Sequence, residues 1–208
     1  MRVVLIGQKW LAVQLLRRCL SLGIEVAQVV APEPQPGEDA DSLEREALAL
    51  GLPVCRAARR VEPDQVPACD VILAAHAHAF IGAAARRKAR LGALGYHPSL
   101  LPRHRGRDAI RWALHMREPV TGGSLYWMDD GADTGPVVAQ SWCHVRPDDT
   151  PASLWRRELA PTGLRLFDQV LVRLMAGDPC SGEPQDAALA TWEPAWSGRK
   201  LGMVKQGV

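Results

Sequence analysis

The first residues do most to limit the fold. Val3 to Ile6 form a β-branched and leucine run closed by Gly7, the pattern of a parallel strand buried on both faces and followed by a tight turn. Leu11, Leu15 and Cys19, with Val13, Leu16 and Leu20 beside them, then repeat at a helical period from Trp10 to Gly23, and Glu25 to Val30 reads as a second strand. Strand, helix, strand is a βαβ unit, and its crossover commits the chain to a largely parallel sheet covered by helices. Such an opening also serves nucleotide-binding folds, yet Gly7-Gln8-Lys9-Trp10 lacks the GxGxxG spacing that lets backbone approach a pyrophosphate, so no dinucleotide cofactor is expected. The turn does place free N–H groups and Lys9 at a helix N-terminus, where a single phosphate or carboxylate could bind; a solvated lysine is the alternative.

The same alternation continues. Residues 31–40 hold three prolines and three acids and read as a loop, Asp41 or Ser42 caps a helix through Leu50, and Val54 starts a third strand. Val71 to Ala75 is a strongly apolar fourth strand. If it persists through His76-Ala77-His78, both imidazoles share one face; with no third ligand at suitable spacing, no metal is expected. Ile81 to Arg90 reads as a short basic helix, Leu91 to Tyr96 as a strand, and Asp108 to Met116 as a capped helix. Thr121 to Met128 and Val137 to Cys143 read as strands. Thr150-Pro151 opens a long helix to Ala176 with a kink at Pro161. Beyond Gly177 the chain is rich in Gly, Pro and Trp.

With 208 residues, 47% of them hydrophobic, the chain can bury one good core. The net charge of +2 is spread along the sequence and calls for no nucleic-acid partner. Five cysteines without a CxxC pair indicate a reduced, cytoplasmic protein, and no apolar run approaches the roughly 20 residues of a membrane helix.

Two loops carry the candidate chemistry: Gly95 to Gly106, where His97 leaves the end of an apolar run, and Asp129 to Pro136, where Asp133 sits between glycines. A parallel sheet could bring both to its C-terminal edge, where ligands of open α/β sheets bind. A histidine oriented by a carboxylate can move protons or, as imidazolium, stabilise a developing oxyanion. On spacing alone, a structural histidine and a turn-forming aspartate fit equally well.

His97-Pro98-Ser99-Leu100-Leu101-Pro102, then Arg105-Gly106, Gly122 and Gly131-Ala132-Asp133-Thr134-Gly135, resemble the motifs of the folate-dependent formyltransferases, the group that includes methionyl-tRNA, glycinamide ribonucleotide and sugar N-formyltransferases. The similarity runs from the first strand to about residue 145, and Ala190-Thr191-Trp192-Glu193-Pro194 is similar to the end of the same catalytic domain. The resemblance implies an α/β, Rossmann-like three-layer domain with a mostly parallel central sheet over residues 1–190, with 191–208 as a tail packing on it or extending from it. It implies transfer of a formyl group from 10-formyltetrahydrofolate to a primary amine of a small molecule of sugar or nucleotide type. His97 and Asp133 would be catalytic, with Phe80, Ile81, Ser99, Leu100, Arg105, Gly106, Asp129, Gly131 and Gly135 binding substrate or cofactor. Gly131 and Gly135 would let backbone pass close to the pterin ring.

The resemblance has one gap. The family pattern is Asn-x-His, and this chain has Gly95-Tyr96-His97, which removes the amide expected to donate to the formyl oxygen. His76, His78 or Tyr96 could replace it, or a water could fill the space above Gly95. The alternatives are a glycinamide ribonucleotide or methionyl-tRNA formyltransferase, a hydrolase releasing formate, and a folate-binding protein with weak or no catalysis. The segment after Gly177 is too short for a separate tRNA-binding barrel, so tRNA is not expected as a partner, nor is a membrane; an exposed strand or tryptophan surface could support a homodimer. Arg103, His104, Arg105 and Arg107 would make a basic rim suited to a phosphorylated or carboxylated acceptor, or Arg105 would pin its own loop.

Overall fold

A computed structural model describes residues 1–196. The strands are β1 (Arg2–Gly7), β2 (Glu25–Pro32), β3 (Val54–Ala57), β4 (Arg60–Val61), β5 (Val71–Ala75), β6 (Phe80–Ile81), β7 (Ala93–His97), β8 (Val120–Trp127) and β9 (Val137–His144). The α-helices are α1 (Lys9–Ser21), α2 (Ser42–Ala49), α3 (Ala83–Arg86), α4 (Ala109–His115), α5 (Pro151–Leu154) and α6 (Ala160–Met175). Seven strands form one sheet in the order β3-β2-β1-β5-β7-β8-β9, parallel from β3 to β7 and antiparallel at β8 and β9. This is the Rossmann-like, mostly parallel α/β architecture expected.

Side-chain alternation divides the sheet between two apolar layers. Val3, Leu5, Leu73, Leu94, Tyr96 and Leu125 face α1, α2 and α6, where Leu15, Leu43 and Phe167 complete a buried cluster. Val4, Ile6, Ile72, Ala74 and Ala93 face the other way, toward Ile81 and Ala85. That second face is thinly covered: α3 has four residues, and β4 pairs only with β6. Its cover therefore stops short of the sheet edge, and Gly95 and His97 lie on this side.

Three expectations change. Residues 81–90 hold only the short α3, because Phe80 and Ile81 pair as strand with Arg60 and Val61. Strand β5 ends at Ala75, and His76 turns into left-handed backbone with φ of 56°, so His76 and His78 do not alternate along one strand face. Asp108 precedes α4 but does not cap it: its φ is 62°, and its Oδ2 accepts from the Trp196 amide at 3.0 Å. The expected kink before Pro161 takes the form of a π-helical turn, Trp155–Leu159, between α5 and α6, which absorbs the proline's missing donor and its clash with the preceding turn.

Candidate active site

His97 is the last residue of β7, and Pro98 ends the strand. The loop that follows is held by polar side chains of its own and of the neighbouring strands. Ser99 Oγ donates to the Arg103 carbonyl at 2.6 Å, Ser124 Oγ on β8 donates to the Ser99 carbonyl at 2.6 Å, and Gln140 on β9 donates to the Leu101 carbonyl at 2.7 Å. Ser99 is fully buried. Leu100 is half-buried and packs where Gly122 leaves room.

The loop delivers the His104 carbonyl to His97. His97 Nε2 lies 2.7 Å from that oxygen; since a carbonyl only accepts, Nε2 carries the proton, and the tautomer is fixed. Nδ1 is the exchangeable edge, 3.5 Å from Asp133 Oδ2. Asp133 is held by two further donors, the Gly106 amide to Oδ2 at 2.8 Å and the Tyr126 hydroxyl to Oδ1 at 2.6 Å. The two loops do meet, though not by the expected route. Strand β8 runs antiparallel to β7, with Trp127 opposite Leu94, so the 129–136 loop must fold back over the sheet to reach His97.

That fold-back explains its glycines. A Cβ on Gly135 would stand 1.8 Å from the Trp127 carbonyl oxygen, and one on Gly131 would stand 2.0 Å from Thr134 Oγ1. Both sit in close turns of the loop itself. Asp129 closes the turn, accepting from the Gly131 amide and from Thr134 Oγ1. Gln185 braces it from outside, donating to the carbonyls of Asp133 and Gly135 while its Oε1 accepts from Arg105 Nε and Nη2. Arg105 thus braces the 129–136 loop through Gln185 and does not pin its own loop, and Arg103 pairs with Glu118. Of the expected basic rim, Arg107 is exposed and makes no ion pair among the described residues.

Of the three candidate replacements for the missing amide, the strand's alternation takes one away from Gly95. Tyr96 lies on the opposite face, packed against Trp155 and Phe167, and its hydroxyl donates to the Leu159 carbonyl at 2.6 Å; the alternation that puts His97 in the site takes Tyr96 out of it. His76 packs against His78 and Trp155 in a cleft also lined by Ile6, Gln8 and Ala31. Burial, then His78 and Lys9, push its pKa down to about 4. Burial, then Arg107 and Lys9, lower that of His78. Both rings are neutral near pH 7, and Gln8 Nε2 and His76 Nδ1 are buried without a partner among the described residues. No third metal-type ligand joins the pair among those residues. The Lys9 amide at the start of α1 already donates to Asp41 Oδ1 at 2.9 Å, so the chain supplies its own carboxylate where an anion was considered. Tyr126 stands beside Gly95: a Cβ on Gly95 would lie 3.0–3.1 Å from its ring and hydroxyl.

Phe80 and Ile81 divide. Phe80 is exposed beneath Arg60, and Ile81 is buried in the second apolar layer. Arg86 joins this segment to the other loop, donating to the Ile81 carbonyl and pairing with Asp130. From the far end of the chain, Thr191 accepts from the amides of His104 and Arg105, and Glu193 Oε1 lies 3.1 Å from His104 Nδ1. Of the expected tail, 191–196 therefore packs across the site loop; 197–208 lies outside the described residues.

A family model described as formyl transferase matches residues 1–170. Human cytosolic 10-formyltetrahydrofolate dehydrogenase is 35% identical over 203 residues, covering 93% of this chain and 22% of that protein. Methionyl-tRNA formyltransferase of Myxococcus xanthus is 32% identical over 186 residues, 85% of this chain and 59% of that one. The chain thus spans 22% or less of the dehydrogenases it matches. Among solved structures, an N-formyltransferase from Helicobacter canadensis in complex with folinic acid and dTDP-3-aminofucose superposes with a TM-score of 0.74 at 17% identity, over 92% of this chain and 70% of that one.

Proposed function

The chain belongs to the formyl transferase family, and on that footing we propose that it moves a formyl group from 10-formyltetrahydrofolate to the primary amine of a small molecule of sugar or nucleotide type. The observation that carries this reading is the wiring of His97. Its Nε2 proton is committed to the His104 carbonyl, so proton exchange is confined to Nδ1, which faces a carboxylate held by two donors. The amine attacks as the neutral base; an imidazole so arranged takes a proton from that nitrogen once it is cationic in the tetrahedral adduct, and the resulting imidazolium, stabilised by Asp133, faces the oxyanion and returns the proton to the departing nitrogen.

When bound, the folate supplies a formyl group on a nitrogen that becomes a competent leaving group once protonated. The residues present fit it. Phe80 offers an exposed ring, and Arg86 ties that segment to the 129–135 loop, so the two stretches expected to flank the pterin form one wall. Gly106, Asp129, Gly131 and Gly135 would shape that wall through backbone geometry. Residues 1–190 would be the catalytic domain, closed over its site loop by the tail that begins at Thr191.

For the acceptor, Lys9 and Arg107 both bear on the cleft by His78, where their charge disfavours protonation of the ring. Two cations beside an apolar cleft support an acceptor that carries a phosphate or carboxylate as well as its amine. The test is to incubate the protein with 10-formyltetrahydrofolate and separate panels of amino sugars, sugar nucleotides, amino nucleotides and aminoacyl-tRNA, reading formylated product by mass spectrometry. Product from an anionic small amine is expected. Formate release at the same rate without any amine would make the protein a hydrolase, and tight folate binding with neither product would make it a binding protein.

A further inference from the structure

Gly95 is a glycine for want of room. Its φ is outside the left-handed region, so the backbone does not require it, but it lies opposite Tyr126 across β7 and β8. A Cβ there would stand 3.0 Å from Tyr126 Cε1 and 3.1 Å from both Cζ and the hydroxyl. The phenol end thus crowds any side chain that starts at 95, which would have to push it back by a few tenths of an ångström. Tyr126 is 4% exposed, and its hydroxyl donates to Asp133 Oδ1 at 2.6 Å, leaving Oδ2 to accept from Gly106 and face His97.

We propose that Tyr126 is the positioning residue of this site: its hydroxyl fixes the Asp133 carboxylate so that Oδ2 faces His97, and Gly95 and Tyr126 form one matched pair that stands where the family pattern has an asparagine. A phenol has one proton, and this one is committed to Asp133. Tyr126 therefore acts through Asp133 and does not itself touch the reacting oxygen. Burial, reinforced by Asp133, raises the phenol's pKa well above its ordinary value, so it stays a donor over the working pH range. The catalytic consequence rests on the proposed formyl transfer; the packing and the orientation of Asp133 do not.

Two variants test it. Tyr126→Phe keeps the ring and removes the bond. A crystal structure of this variant is expected to show the Asp133 carboxylate rotated away from its wild-type contact with His97, and an unmoved carboxylate would overturn the proposal. In turnover, kcat is expected to fall about 10-fold or more, the range for a hydrogen bond to a charged group, with KM for folate unchanged. An unchanged kcat in an active enzyme would count against the positioning role. The matched pair is tested by thermal unfolding, without reference to activity. Gly95→Ala should lower Tm when Tyr126 is present and raise it in a Tyr126→Ala background, where the new methyl fills space; equal effects in both backgrounds would overturn the pairing.

Discussion

Replacing Asp133 by asparagine keeps the shape of the side chain and reverses half of its hydrogen bonding. The amide nitrogen would face a donor, either Tyr126 or Gly106, and the imidazolium would lose its counter-charge. A fall in kcat of about 10²–10³, the scale of losing one electrostatic element of an acyl-transfer site, is the expected outcome, with folate affinity by calorimetry nearly unchanged. At this scale the sequence showed its reactive groups and hid their partners. His97 and Asp133 stand out because proline and glycine bracket them, whereas Tyr126 sits inside an ordinary apolar strand. Its link to Gly95 exists only once β8 is known to run antiparallel at that register. Tyr96, adjacent to His97 in the chain, faces the opposite side of the sheet because strand alternation separates sequence neighbours.

Among the elements, the end of β5 departs most from its pattern. The apolar run gives no sign that His76 will leave the strand with positive φ and settle against Trp155 on the π-helical turn, a contact 79 positions away that no local periodicity encodes. Its burial has a consequence for stability. The native pKa is about 4 and the reference value 6.5, so between these the unfolded chain holds more protons than the native one. Stability should therefore fall as pH drops through that window, by at most about 1.4 kcal/mol per pH unit from this one group. Denaturant midpoints between pH 7.5 and 4 should show a shallower acid decline in His76→Phe than in the parent, and parallel declines would refute the assignment. The βαβ opening, by contrast, was readable in full, because β1, α1 and β2 each bury the face that their own period predicts.

For the whole molecule, the alternation of strands and helices along the chain foretold a mostly parallel sheet covered by helices. The packing of residues 191–196 on the 99–106 loop was legible only as a resemblance to the end of a catalytic domain and a tail that packs on it, without its partners. Thr191 and Glu193 tie the loop that holds the His104 carbonyl, and Trp112 Nε1 donates to the Pro194 carbonyl. Ending the chain at Ala190 would strip these bonds, each worth about 0.5–1.5 kcal/mol, and should lower Tm by about 5–10 °C while reducing kcat more than folate affinity. An unchanged Tm would mean that the segment does not stabilise the fold. The central claim is that His97, wired through Nε2 and facing Asp133, drives formyl transfer. It is tested most directly by single-turnover transfer from 10-formyltetrahydrofolate to an accepted amine, comparing His97→Asn with wild type and following folate binding in the same samples. A transfer rate lower by about 10²-fold or more with folate binding retained is predicted; transfer at the wild-type rate by the variant would contradict it.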